Sequence, residues 1–114
     1  MQGLNGEAGR NDWIKWAEAC WDDVIETDTL NVEEGRGDKD TKHICPLQLG
    51  TIERCIKLYS NPGETVLTPF GGIGSEAYQA IKFGRRAIYM ELKESYFKVG
   101  VKNLESVERE SKAM

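Results

Sequence analysis

The sequence predicts an α/β fold, part of a doubly wound parallel sheet with flanking helices. Three observations carry that expectation. Residues 66–68, Val-Leu-Thr, make a short strand-forming run stopped by Pro69, which lacks the N–H that a ladder needs. Gly71, Gly72 and Gly74 follow at once, ahead of a helical stretch through Ala77, Tyr78, Ala80 and Ile81 to Gly84. A second apolar run, residues 87–90, then ends in Glu91, seventeen residues after Gly74. Strand, glycine turn, helix and strand form a cradle for nucleotide-like ligands at the strand's carboxyl end. A carboxylate near Glu91's spacing commonly accepts hydrogen bonds from a ribose diol.

The other elements follow in chain order. Residues 1–11 are glycine-rich and polar and read as a loop or disordered. Trp13, Trp16 or Ala17, Cys20 and Val24 fit a helical stripe. Core packing is the first reading of the tryptophans, and the adjacent Asp22 and Asp23 speak against base stacking. Residues 33–41, Glu-Glu-Gly-Arg-Gly-Asp-Lys-Asp-Thr, have no apolar period and read as a surface loop. Pro46 suits the first position of a helix. Ile52, Cys55, Ile56 and Tyr59 then fall at i, i+3, i+4 and i+7 on one apolar face. Asn61-Pro62-Gly63 is a turn. The two parallel strands require a right-handed crossover, supplied by the helix that Ser75 caps. Arg85 and Arg86 read as surface charges. A last helix is expected over residues 94–108, with Phe97, Val101, Leu104 and Val107 inward and a frayed tail at 111–114.

Composition bounds the function. The chain has 114 residues, one domain or less. Its net charge is −4, which argues against an autonomous nucleic-acid binder held by phosphate contacts. The acidity is local: residues 1–42 hold five basic and eleven acidic side chains, whereas the remainder is slightly basic. Cys20, Cys45 and Cys55 have no paired spacing, and with one histidine no zinc site is expected. They read as reduced thiols of a cytoplasmic protein. No apolar run is long enough for a signal peptide or a membrane span, so no membrane partner is expected.

The spacing Phe70-x-Gly72-x-Gly74 differs from the dinucleotide pattern and resembles motif I of S-adenosylmethionine-dependent methyltransferases. His43-Ile44-Cys45-Pro46-Leu47-Gln48-Leu49, with Ile52-Glu53-Arg54 and Ser60-Asn61-Pro62-Gly63-Glu64, resembles the motif X helix of amino-methylating DNA methyltransferases and its turn into motif I. Gly84-Arg85-Arg86 through Glu91-Leu92-Lys93-Glu94-Ser95-Tyr96 resembles motif II and the helix after it. The likeness is to phage-type adenine-N6 or cytosine-N4 methylases whose catalytic motif precedes the cofactor motifs, and it covers residues 13–104. It implies a partial Rossmann-like fold and S-adenosylmethionine as cofactor. It also implies that residues 19–25 are extended, an alternative to the helical stripe.

The resemblance assigns roles. Gly71, Gly72 and Gly74 let the backbone approach the cofactor, with Thr68 below, Phe70 beside it and Ser75 opening the helix. Glu91, with Leu92 next to it, holds the ribose hydroxyls. His43, Cys45, Pro46 and Leu47 contact the methionine end. Thr68 departs from the family, where an aspartate is common and offers charge to the cofactor's ammonium group. The larger departure is an absence. Amino methylation needs a Pro-Pro-aromatic loop that binds the target amine and stacks on the flipped base. The prolines here are Pro46, Pro62 and Pro69, none adjacent, so no catalytic residue is assigned in this chain. The expected organisation is an acidic segment 1–42, ending a target-recognition region or linker, then a cofactor-binding half-domain 43–110. DNA would be reached through a missing catalytic and target-reading half, by way of a complementary chain or a homo-oligomer. The alternatives are a non-catalytic cofactor-binding remnant or regulatory subunit, and a methyltransferase for RNA or protein.

Overall fold

A computed structural model describes residues 7–30 and 45–114. The order of elements is α1 (Arg10–Trp16), α2 (Leu49–Tyr59), β1 (Thr65–Thr68), α3 (Ser75–Lys82), β2 (Arg86–Tyr89) and α4 (Glu94–Ala113). Strands β1 and β2 pair in parallel, with Thr65 opposite Arg86 and Thr68 opposite Tyr89. Helix α3 makes the crossover between them.

The core lies between α2, α3 and one face of this sheet. Ile52, Ile56 and Ala80 form its centre, with Val66, Phe83 and Ala87 packed against it. Ala77 and Ala80 are fully buried, and their small side chains let α3 sit close to its neighbours. The opposite face of the sheet is bare. Leu67 and Ile88, paired across the strands, are 59% and 50% exposed. An apolar groove of about 360 Å³ lies beside β1, lined by Leu47, Ile52, Cys55, Ile56, Tyr59, Thr65 and Val66 among others.

Several expectations shift. Helix α2 starts at Leu49 rather than Pro46, with Gln48 in extended conformation ahead of it. Of its expected apolar face only Ile52 and Ile56 are buried. Cys55 and Tyr59 front the open groove instead. Ser75 does not cap α3. Gly74 holds that position at φ +91, and Ser75 is the first helical residue, buried without a side-chain cap bond. A left-handed φ favours glycine because a Cβ clashes there. Helix α4 continues to Ala113 and buries Val99, Gly100 and Val107, while Phe97 is 41% exposed and stacks on Tyr89.

Arg85 is not a surface charge. It is 4% exposed, and its guanidinium donates to Ser60 Oγ at 3.0 Å, to Ser60 O at 2.7 Å and to Phe83 O at 2.7 Å. A cation suits this place at the carboxyl end of α2, where carbonyls lack helical partners. Arg86 is exposed, as expected.

The N-terminal segment is helical only over α1, and residues 17–30 form no helix or strand. The tryptophans do not enter the core. Trp13 is 50% exposed, while Arg54 sits 5.8 Å from the Trp16 ring and 5.1 Å from the Trp21 ring. Arg54 also pairs with Asp23 at 2.8 Å, and Lys15 reaches the other oxygen at 3.0 Å. This cation–aromatic cluster fastens the segment to α2.

Candidate functional site

The site forms at the carboxyl ends of the two parallel strands. Its floor is residues 70–74, which leave β1 and enter α3. Gly71 N–H donates to Met90 O at 2.8 Å, which stitches the loop to the end of β2. Gly72 N–H donates to Glu91 Oε2 at 2.7 Å, and Lys93 N–H to Glu91 Oε1 at 2.9 Å. Tyr89 Oη donates to the carbonyl of the same Gly72. Asn103 Nδ2, from α4, donates to Ile73 O at 2.9 Å. The loop's polar backbone is therefore held largely by side chains that come after it in sequence.

A slot of about 250 Å³ opens over this loop, lined by Cys45, Pro46, Leu47, Phe70, Gly71, Gly72, Ile73, Glu76 and Tyr96. Six of the expected residues thus converge, although more than twenty positions separate the two segments. Glu91 does not line the slot but is tied to its floor by the bond from Gly72 N–H. The other expected residues stand elsewhere. Thr68 is buried, its carbonyl accepting from Met90 N–H at 3.0 Å. Gly74 and Ser75 are buried behind the loop, and a Cβ at Gly74 would meet Gly100 Cα at 3.4 Å. Leu92 is fully exposed beyond Glu91. His43 lies outside the described residues.

Two of the expected amides are committed internally, Gly72 to Glu91 and Gly74 to Gly71 O. What the loop offers a ligand is an open surface at Gly72, where an added Cβ would meet nothing within 4 Å. The sequence reading missed Ile73, Glu76, Tyr96 and Tyr89. Glu76 had a signal, an acid in the first turn of the helix that leaves the loop. Tyr89 had none, because the end of a strand does not reveal what its side chain will touch. Burial raises the Tyr89 hydroxyl to about 12, helped by the charges of Glu91 and Glu76, so it stays a donor at neutral pH. Among the described residues no group of side chains is arranged to hold a metal ion, and no helix is long and apolar enough to cross a membrane.

Comparison with known proteins finds relatives of this chain. Residues 2–102 match the N6/N4 family model described as DNA methylase. The chain is 37% identical over 59 residues to YubD of Escherichia coli, named as a methylase, and covers 26% of it. It is 39% identical over 54 residues to the DNA adenine methyltransferase YhdJ of Escherichia coli and covers 18% of that protein. Those stretches are 52% and 47% of this chain. A DNA modification methylase from Thermus thermophilus superposes with a TM-score of 0.67 at 23% identity, over 90% of this chain and 36% of that one. Another structure of the Thermus protein, complexed with S-adenosyl-L-methionine, gives the same score and identity over 90% of this chain and 35% of that one. The chain therefore spans about a third or less of the proteins it matches. The family model covers most of the chain, so the chain belongs to the N6/N4 DNA methylase family, and its fold is part of the Rossmann-like methyltransferase architecture.

Proposed function

We propose that this chain is the S-adenosylmethionine-binding part of a site-specific DNA methyltransferase that acts on the exocyclic amine of adenine. The observation that carries the reading is the convergence of residues 45–47, the glycine loop and Glu91 at the carboxyl ends of two parallel strands. The likeness to an adenine methyltransferase favours adenine N6 over cytosine N4. Family membership leaves the RNA or protein methyltransferase reading without support.

The residues fit the cofactor. The slot's lip at Gly72 is open, and its walls pair apolar Pro46, Leu47 and Ile73 with the Glu76 carboxylate. When bound, the cofactor supplies an electrophilic methyl group on a sulfonium. Glu76, which lines the slot, would supply a charge for its ammonium group, a role that uncharged Thr68 leaves vacant. Glu91 has two oxygens, each accepting one backbone N–H, and a carboxylate has about four acceptor sites. It can therefore hold the loop and accept a ribose hydroxyl as well. Tyr96 and Phe70 also line the slot and offer it aromatic surface. The sequence carries no Pro-Pro-aromatic loop to hold a target amine, so that task falls to a complementary half that carries one. The bare sheet face and the apolar groove beside β1 are the surfaces such a half would cover, since parallel sheets are normally buried on both faces.

Calorimetric titration with S-adenosylhomocysteine tests the reading. The wild-type chain should bind it measurably. Glu91→Ala should lose about 1–3 kcal/mol, the range for a hydrogen bond to a charged group, and Glu76→Gln should weaken binding in the same direction. No heat from a folded sample at millimolar ligand would sink the proposal.

A further inference from the structure

We propose that Tyr89 is a positioning residue for the cofactor, a wedge between the glycine loop and α4 that sets the shape of the loop's ligand-facing turn. The inference rests on the cofactor reading above and deepens it. Tyr89 lines no part of the slot, yet it contacts both the loop that forms the slot's floor and the helix packed behind it. Its hydroxyl donates to the Gly72 carbonyl, while Glu91, two residues on, accepts the Gly72 N–H. One residue of the loop is thus clamped on both of its peptide groups by alternate side chains at the end of a single strand.

The space for the ring is made by two glycines. A Cβ at Gly71 would fall within the Tyr89 ring, and a Cβ at Gly100 would fall on its hydroxyl end. Gly100 is buried inside α4, where glycine costs helix stability. The approach of Tyr89 accounts for that cost. Phe97 stacks on the ring at 5.6 Å between centroids. A second acceptor, Tyr96 O, lies 3.5 Å from the hydroxyl, and Tyr96 itself lines the slot. Tyr89 therefore touches the loop and the backbone of a second residue that lines the slot.

The test separates the hydroxyl from the ring. Tyr89→Phe keeps the stacking and the volume and removes only the donor. We expect it to melt close to wild type, to bind S-adenosylhomocysteine roughly three- to tenfold more weakly, as loss of one neutral hydrogen bond would give, and to exchange its Gly72 amide hydrogen faster by NMR without ligand. Gly100→Ala is the second variant, for the case in which Tyr89→Phe does not fold. It favours the helix and keeps the tyrosine, but it displaces the hydroxyl end of the ring, and it should weaken the ligand although residue 100 lies outside the slot. Wild-type affinity in a folded Tyr89→Phe, or, where that variant is unfolded, in Gly100→Ala, overturns the wedge and leaves the cofactor reading intact. Failure of the wild-type chain to bind overturns the cofactor reading and the wedge with it.

Discussion

Gly74 shows how a site residue changes meaning once its surroundings are known. Its sequence position makes it a ligand-approach glycine, and a bulky side chain there should block the cofactor. In the structure it is buried at φ +91, and its missing Cβ faces Gly100 of α4. Gly74→Val should therefore destabilise the fold itself, by about 2–4 kcal/mol from left-handed strain combined with overpacking, read as a fall in the thermal midpoint without ligand. Gly72 is the position where an added side chain would enter open space at the slot. The two glycines look alike in the motif and differ in what lies beyond the backbone.

At the scale of elements, two attachments decide how the helices meet the sheet. Arg85 ties the carboxyl end of α2 to the start of β2 through Ser60 and the Phe83 carbonyl. Arg85→Met keeps much of the volume but strands those buried acceptors, and should cost about 2–4 kcal/mol in a denaturant melt. The other attachment is the N-terminal segment. Hydrogen bonds from Arg54 first, then from Lys15, hold the Asp23 carboxyl well below the usual carboxylate range. A depressed folded pKa contributes stability above the unfolded value near ~4, and that stability is lost as pH falls through the folded one. The Asp23 carboxyl should therefore remain ionised below pH ~4, and Arg54→Gln should raise its midpoint toward the ordinary range while Lys15 still holds it down. The pair is exposed, so global stability should move little.

The whole molecule carries one finished face and one bare one. Leu67 and Ile88, with Met90 beyond them, are half or more exposed on a two-stranded sheet, and the groove beside β1 is largely apolar. An apolar strand face of this kind favours association, so light scattering of the chain alone should show species larger than a monomer. Under the proposed function, methyl-donor binding and catalysis reside in different halves. The chain alone should transfer no tritiated methyl group to unmethylated DNA, because its sequence carries no Pro-Pro-aromatic loop to hold a flipped base, and its charge of −4 gives the duplex little attraction. Adding a chain that carries the Pro-Pro-aromatic loop should restore adenine methylation. Robust transfer by the 114-residue chain alone would contradict the division.

Strand, glycine loop, helix and strand were legible in the sequence because each depends on local chemistry: Pro69 ends a ladder, Gly74 admits a turn, and apolar spacing along α2 shows its period. The converging residues at Pro46, Phe70, Gly72 and Glu91 were legible only as a linked set of motifs. What tertiary structure alone decided is which atoms oppose one another across those motifs. The burial of Arg85, the Tyr89 wedge between Gly71 and Gly100, and Glu76 at the slot all depend on how α3 and α4 pack on the sheet. Residue type and spacing record the direction of the backbone but carry no measure of the distance between side chains brought together from separate elements, and the roles of these residues are set by that distance.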